Sequence, residues 1–106
     1  MSAVYLLENA TEVGAGERMA TEFIYSTILA NGSTSSGSGA AAISILVSNT
    51  GGAGDEEWIV AGTINLTLGA TPVADGFAMA AKWPHVKADL TSISGTGASV
   101  SVTMGR

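Results

Sequence analysis

The chain has 106 residues, enough for one hydrophobic core and too few for two domains of ordinary size. Only 12% of the residues are charged, about half the share in a typical globular protein. The sequence contains nine acidic residues and four basic ones, and the basic ones are scattered along the chain. No basic stripe therefore exists to neutralise phosphates, and we expect no nucleic-acid partner.

Several further classes are disfavoured by what the sequence lacks. Cysteine is absent, which removes disulfides, thiol catalysis and thiolate metal sites. No apolar run approaches the length needed to cross a bilayer, so we expect no membrane partner. The apolar start of the chain is short and follows no positive region, so no signal peptide is expected. The low charge instead suits a surface in close contact with other protein.

The N-terminal segment, residues 1–16, starts with a short apolar run and then becomes polar. We predict that it is an arm or an edge strand, and that residues 17–106 form a β-sandwich domain. The apolar run has no second strand beside it in sequence, and an unpaired apolar edge is a liability unless another chain covers it. We therefore predict a protein interface at the run and at two bases: Val4, Tyr5, Leu6, Leu7, Arg18 and Lys87.

Three segments follow in the first half of the chain. Residues 18–30 are rich in β-branched and aromatic residues and favour a strand, although their near-helical apolar spacing leaves a helix open. Residues 31–39, with the sequence NGSTSSGSG, predict a flexible connection. Residues 40–48 alternate as a strand does, and Leu46 on the polar side indicates that its outer face is partly covered.

The middle of the chain predicts one long strand between two turns. Residues 49–57 are a Gly-rich, acidic turn, and residues 69–76 contain Pro72 and the turn signal Asp75-Gly76. The segment 77–81 is a short strand or a single helical turn. Gly62, within the strand at 58–68, indicates a bulge or a close backbone approach. The residues predicted to face inward in that strand are Val60, Ile64, Leu66 and Leu68.

The last quarter, WPHVKADLTSISGTGASVSVTM, predicts two strands folded back on each other around Gly95–Gly97. A lone ribbon of this kind is marginal in water and must pack on other strands. Counting all segments gives seven or eight short strands with turn signals every ~8–12 residues and no convincing helix. The predicted fold is all-β, an antiparallel β-sandwich of jelly-roll or immunoglobulin-like topology.

Catalytic patterns are weak throughout. His85 is the single histidine, and Asp89 shares its strand face, but an exposed pair of this kind is more often surface than general base. The acidic run 55–57 lacks the spaced oxygen ligands of a calcium loop. No serine lies in a nucleophile elbow. We therefore predict a protein that is not an enzyme and that needs no metal or cofactor.

Four aromatic residues admit a second interpretation. Exposed tryptophans and tyrosines could form a platform on which sugars stack. In a small sandwich, aromatic residues at strand starts are more often core or interface anchors, which we favour. The residues concerned are Trp58, Trp83, Tyr5 and Tyr25.

Three segments together resemble the small virion proteins of tailed bacteriophages. They are residues 45–49 with the turn to Trp58, residues 61–64, and residues 86–98 with the run Ser94-Gly95-Thr96-Gly97. The resemblance spans roughly residues 40–104 and rests mainly on turns and pleats. That family usually carries arginine before the alanine of the third segment, where this chain has Lys87.

The resemblance implies a role as well as a fold. Such proteins decorate and stabilise a capsid by bridging subunits of the major capsid protein. They are typically homo-oligomers, dimers or trimers, on the exterior of a virion, made in the host cytoplasm. The alternative is a tail, fibre or other receptor-proximal module, which would bind carbohydrate through Trp58, Trp83 or Tyr25.

Overall fold

The computed structural model describes residues 3–15, 19–20, 27–50, 58–78 and 83–105. Within these ranges every regular element is a β-strand, nine in number. The strands are β1 (Ala3–Ala10), β2 (Gly14–Ala15), β3 (Met19–Ala20), β4 (Thr27–Ser33), β5 (Ser36–Ser48), β6 (Ile59–Leu68), β7 (Val73–Ala78), β8 (His85–Thr96) and β9 (Ser99–Gly105).

The strands form two sheets whose pairings are all antiparallel. The first sheet has the order β1-β9-β4-β7, and the second has the order β2-β8-β5-β6. Strand β3 also pairs with β8 and shares the edge with β2. The predicted antiparallel β-sandwich is thereby confirmed.

The topology is that of a jelly roll. If β2 and β3 are counted as one interrupted strand, the nine strands occupy eight positions, four in each sheet. The pairs are nested: β1 lies beside β9, β2 and β3 beside β8, β4 beside β7, and β5 beside β6. In the immunoglobulin fold the first two strands share a sheet, whereas β1 and β2 here lie in different sheets.

The core lies between the two sheets and follows strand alternation closely. In β8, Val86, Ala88 and Leu90 are fully buried, as the period-two pattern predicts. Residues from β4, β5, β6 and β9 complete one contiguous apolar cluster. Its largest fully buried members are Ile43, Ile45, Leu68, Leu90, Met104, Val47, Val86, Val100 and Val102.

The predicted final hairpin is wrong in its pairing. β8 belongs to the second sheet and pairs with β5, whereas β9 belongs to the first and pairs with β1 and β4. The chain crosses between sheets at a tight corner, where Gly97 has a φ of 64° and the Ala98 N–H bonds the Gly95 carbonyl at 3.3 Å. Alternation tells which face of a strand is buried but not which strand lies beside it.

The predicted flexible connection at residues 31–39 is also wrong. Most of it belongs to strands, because β4 extends to Ser33 and β5 begins at Ser36. Backbone hydrogen bonds hold the short corner between them: Thr34 N–H to Gly69 O and Ser35 N–H to Thr96 O, both 2.9 Å. Small residues here allow backbones to approach closely rather than providing freedom.

Strand β6 contains the bulge that Gly62 indicated, and the bulge reverses one side chain. Ile45 pairs with Gly62 and Leu46 with Val60, which leaves Ala61 as the extra residue. The prediction that Val60 faces inward is therefore wrong, since it is 58% exposed. The Phe77 ring also lies against the Gly62 backbone, so the close approach is present as well.

Some other predicted segments either differ from the structure or lie partly outside the residues that the structure describes. Asp75 and Gly76, predicted to form a turn, lie within β7, because pairing with β4 overrides the local turn preference. Of residues 18–30, predicted to be a strand, the described positions 19–20 and 27–30 lie in strands. Residues 21–26 and the acidic run at 55–57 lie outside the described residues.

Candidate protein-binding surfaces

The predicted N-terminal interface contains one exposed side chain whose position is described. Residues 3–10 form the edge strand β1, and the strand that pairs with it, β9, lies far away in the sequence. Leu6 is 4% exposed and belongs to the core, and Leu7 packs against it. Val4 pairs with Met104 through the backbone. Tyr5 is 53% exposed, so a partner can reach it.

The two predicted bases have separate outcomes. Arg18 lies outside the described residues. Lys87 lies on the outer side of the second sheet, with its Nζ 4.4 Å from the centroid of the Trp58 ring. This cation–π contact covers Trp58, which is only 9% exposed. His85 and Asp89 lie half-buried on the same side of β8. Lys87 thus closes over an aromatic ring at this surface.

The outer side of the first sheet carries a continuous uncharged surface. One row crosses three strands, with Tyr5 opposite Thr103 and Thr103 opposite Leu29. Tyr5 is 53% exposed and Leu29 is 45% exposed. Small neutral residues of β4 and β7 extend the row on both sides. We call this surface the neutral face: Tyr5, Thr27, Leu29, Asn31, Ala74, Ala78 and Thr103.

The two threonine hydroxyl groups of the neutral face already have partners within the sheet. Thr27 Oγ1 donates to the Gly105 carbonyl at 2.9 Å, and Thr103 Oγ1 donates to the Leu29 carbonyl at 3.5 Å. Burying a polar group costs free energy mainly when it loses its hydrogen bond. A protein partner can therefore cover these two threonines at a low desolvation cost.

Charged residues are few on the four strands that carry the neutral face. Strands β4 and β9 carry no charged residue, β1 carries Glu8, and β7 carries Asp75. Asp75 pairs with Ala30, which is fully buried, so it lies on the opposite parity of β7 from Ala74. The strongest signal for this surface in the sequence was Leu29, an apolar residue on the exposed parity of its strand.

A separate pocket of about 270 Å³ lies at one end of the sandwich. It is lined by the end of β5, the start of β6 and Trp83, which is half-buried. Ile59 is 55% exposed there. Of the predicted aromatic platform, Trp83 lines the pocket, Trp58 lies under Lys87, and Tyr25 is outside the described residues. The lining residues are Val47, Ser48, Asn49, Thr50, Ile59 and Trp83.

Among the described residues, no three His, Asp or Glu side chains come together in a way that could hold a metal ion. In the same part of the chain, no helix is both long and apolar enough to cross a membrane.

The described geometry defines an all-β jelly-roll protein in which the first sheet carries the neutral face on its outer side. No protein-family model matches the sequence, and no curated protein matches it. Among solved structures, the chain is similar to the crystal structure of the PBSX exported protein XepA, with a TM-score of 0.55 and 12% sequence identity. The match covers 98% of this chain and 37% of XepA, so the chain spans little more than a third of that protein. A likeness at this identity concerns the fold, and it agrees with the sandwich described above.

Proposed function

We propose that this chain is a structural virion protein of a tailed bacteriophage, which decorates the capsid and contacts the major capsid protein through the neutral face. The observation that carries the proposal is the neutral face itself, since its residues are uncharged, Tyr5 and Leu29 are exposed, and its two threonine hydroxyls are hydrogen-bonded within the sheet. The resemblance of residues 45–49, 61–64 and 86–98 to small phage virion proteins supports it. Jelly rolls also build viral capsid domains, which is support by fold analogy alone. The similar structure, XepA, is named as an exported protein, which is compatible with a role outside the cell.

The mechanism requires binding and no chemistry. A decorating protein that binds the assembled shell but not its separated subunits stabilises the shell by mass action. Each contact need only be a modest interface, because many copies act on one particle. A homo-oligomer would bridge several shell subunits at once. Stripping the protein from particles is therefore expected to lower the temperature at which they release DNA.

The first test is the copy number in purified particles of the phage that encodes this chain. Quantitative mass spectrometry against the major capsid protein is expected to give a number comparable with that of the shell subunit. A number far below it would overturn decoration and place the protein in the tail or at a vertex.

The second test addresses the neutral face directly. Leu29→Asp places a charge at its centre and is expected to abolish rebinding to stripped particles. The matched control is Val13→Asp, because Val13 is 61% exposed and lies outside the neutral face. Circular dichroism checks that both variants are folded. If both then rebind equally well, the neutral face is not the docking surface.

The end pocket favours a second candidate function, a receptor-proximal module that binds carbohydrate. Trp83 offers an aromatic wall beside the polar side chain of Asn49, and sugars commonly stack on such walls. In this case a glycan array gives hits that Trp83→Ala removes and Tyr5→Ala retains. An array without hits would remove this candidate.

A further inference from the structure

The two sheets have four edges, and natural proteins protect such edges against pairing with other chains. At one edge, β1 has two register shifts, and Asn9 has a φ of 51°. At another, the described residues form two separate segments, β2 and β3, instead of one continuous strand. β7 carries Asp75 on its inward parity. Each of these three edges thus has a recognised protective feature.

The fourth edge, β6, is different. It runs for ten residues, Ile59–Leu68, without a charged residue or a proline. Its single irregularity is the bulge at Ala61, beyond which Gly62–Leu68 pairs with β5 in unbroken register. In the part of the chain that the structure describes, no strand pairs with the other side of β6. This regular stretch is therefore the least protected edge of the sandwich.

The hydrogen bonds of β5 show which β6 residues direct their backbone N–H and C=O groups toward the open edge of the sheet. Ala40 N–H donates to Ser94 Oγ at 3.2 Å, and the Ala42 carbonyl accepts from Thr91 Oγ1 at 3.1 Å, so both direct backbone groups toward β8. Alternate residues of an antiparallel strand bond to opposite neighbours. Ala41 and Ile43 therefore bond to β6, where their partners are Leu66 and Ile64.

The intervening β6 residues are left with backbone groups that point away from β5. These residues are Thr63, Asn65 and Thr67, and all three side chains are exposed on the outer face. The open edge thus presents a regular series of N–H and C=O groups, flanked by β-branched and amide side chains. It offers the donors and acceptors that an added antiparallel strand requires.

We propose that a second copy of this chain pairs with β6 through its own β6, antiparallel, with Asn65 on the two-fold axis. In that register Thr63 of each copy lies opposite Thr67 of the other, and threonine pairs are favourable across antiparallel strands. Ile64 of each copy lies opposite Leu66 of the other on the inner side. The interface is isologous and therefore closes as a dimer instead of growing into a filament.

Charge favours a second copy as the occupant. The chain carries a net charge of −5, so a symmetric pair formed through a surface that carries its acidic residues would oppose like charges. The stretch Gly62–Leu68 contains no charge, so two copies can meet along it without direct repulsion. The inference rests on the homo-oligomer part of the proposed function and not on a location in a virion. A test in solution therefore fails independently of the particle experiments.

The experiment measures the mass of the purified full chain by light scattering after size exclusion, at micromolar concentration. The wild type is expected at twice the chain mass. Asn65→Lys, which brings two ammonium groups together on the axis, is expected at the chain mass with its β-sheet circular dichroism intact. The control Thr11→Lys adds the same charge at an exposed residue of the β1–β2 connection and is expected to remain dimeric.

A crosslink fixes the register. The natural chain has no cysteine, so Asn65→Cys introduces a single thiol beside its own copy. Cα atoms opposite each other in an antiparallel pair lie about 5.5 Å apart, which a disulfide can span. Mild oxidation is expected to convert this variant to a covalent dimer and to leave Thr11→Cys uncrosslinked, so that Thr11→Cys runs at the chain mass on a denaturing, non-reducing gel. A monomeric wild type, or an Asn65→Lys variant that remains dimeric, would overturn the proposal.

Discussion

On the outer side of the second sheet, a single side chain changes the solvent exposure of its neighbour. Lys87 lies on the polar parity of β8, and yet its ammonium group sits over the Trp58 ring instead of extending into solvent. Strand alternation predicted that Lys87 lies on the outer side of β8. It did not predict the contact with Trp58, because Trp58 lies next to a different strand, β6. The contact contributes to the burial of Trp58, which directly precedes the edge strand β6.

We expect Lys87→Met to destabilise the fold by about 0.5–1 kcal/mol through loss of the cation–π contact. Lys87→Arg is expected to retain most of the stability, since a guanidinium group also stacks on aromatic rings. Urea denaturation followed by tryptophan fluorescence measures both. Equal stability of the methionine variant and the wild type would show that the contact contributes nothing.

At Gly39 the backbone of β5 closely approaches the backbone of β8. A Cβ there would overlap the Ser94 carbonyl oxygen and lie 2.9 Å from Gly95 Cα, and neither backbone atom can move without disturbing the β5–β8 pairing. We expect Gly39→Ala to cost about 1–3 kcal/mol, as overpacking does. The control is Gly69→Ala, whose Cβ meets no atom closer than 4.0 Å. Thermal melts that shift equally for both variants would contradict this account.

At the scale of strands, the sequence predicted where strands lie better than how they pair. The alternation in residues 40–48, 58–68, 85–90 and 99–104 predicted strands that the structure confirms. The prediction of a final hairpin was wrong because glycines suit a corner between two sheets as well as a turn within one sheet. The Ser/Gly-rich segment failed because composition alone does not show that β4 and β5 bond other strands there.

The β6 bulge makes two neighbouring apolar residues respond differently. Val60 is 58% exposed and Ile64 is 3% exposed, although both share one parity of the sequence. We expect Val60→Thr to change stability by less than about 0.5 kcal/mol, as surface substitutions do. Ile64→Thr is expected to cost about 2–3 kcal/mol, because it buries a hydroxyl and removes packed atoms.

The comparison between the two β6 variants is internal, since both place the same residue on the same strand. Denaturant midpoints at constant slope give the two free energies of unfolding. If Val60→Thr were the more damaging change, the bulge would be misplaced and the strand would alternate without interruption.

At the scale of the whole molecule, the sequence indicated a protein that binds rather than reacts, and it placed Tyr5 in the candidate surface. It missed Leu29, Thr27 and Thr103, because the neutral face is assembled from strands that are distant in sequence. Residues of β1, β4 and β9 become neighbours only through the jelly-roll order. That order depends on long-range pairing, which periodicity does not encode.

Docking through an uncharged surface has a measurable signature. Raising the ionic strength from about 0.1 M to 1 M shortens the Debye length from about 10 Å to 3 Å and screens charge pairs. We expect this change to alter the affinity for stripped particles by less than about threefold, because the neutral face carries no ion pair to screen. A loss of tenfold or more would instead implicate charged residues such as Lys87.

The pairing of β1 with β9 also bears on how the protein is made. During translation β1 emerges about 90 residues before β9, the strand beside it in the first sheet. Until then Leu6, a core residue in the folded chain, has no apolar partner in β9. Pairings between such distant segments form slowly and leave apolar surface open to aggregation. Folding of this sandwich therefore cannot finish before β9 has been made, and its yield depends on how many nascent copies still lack β9 at one time.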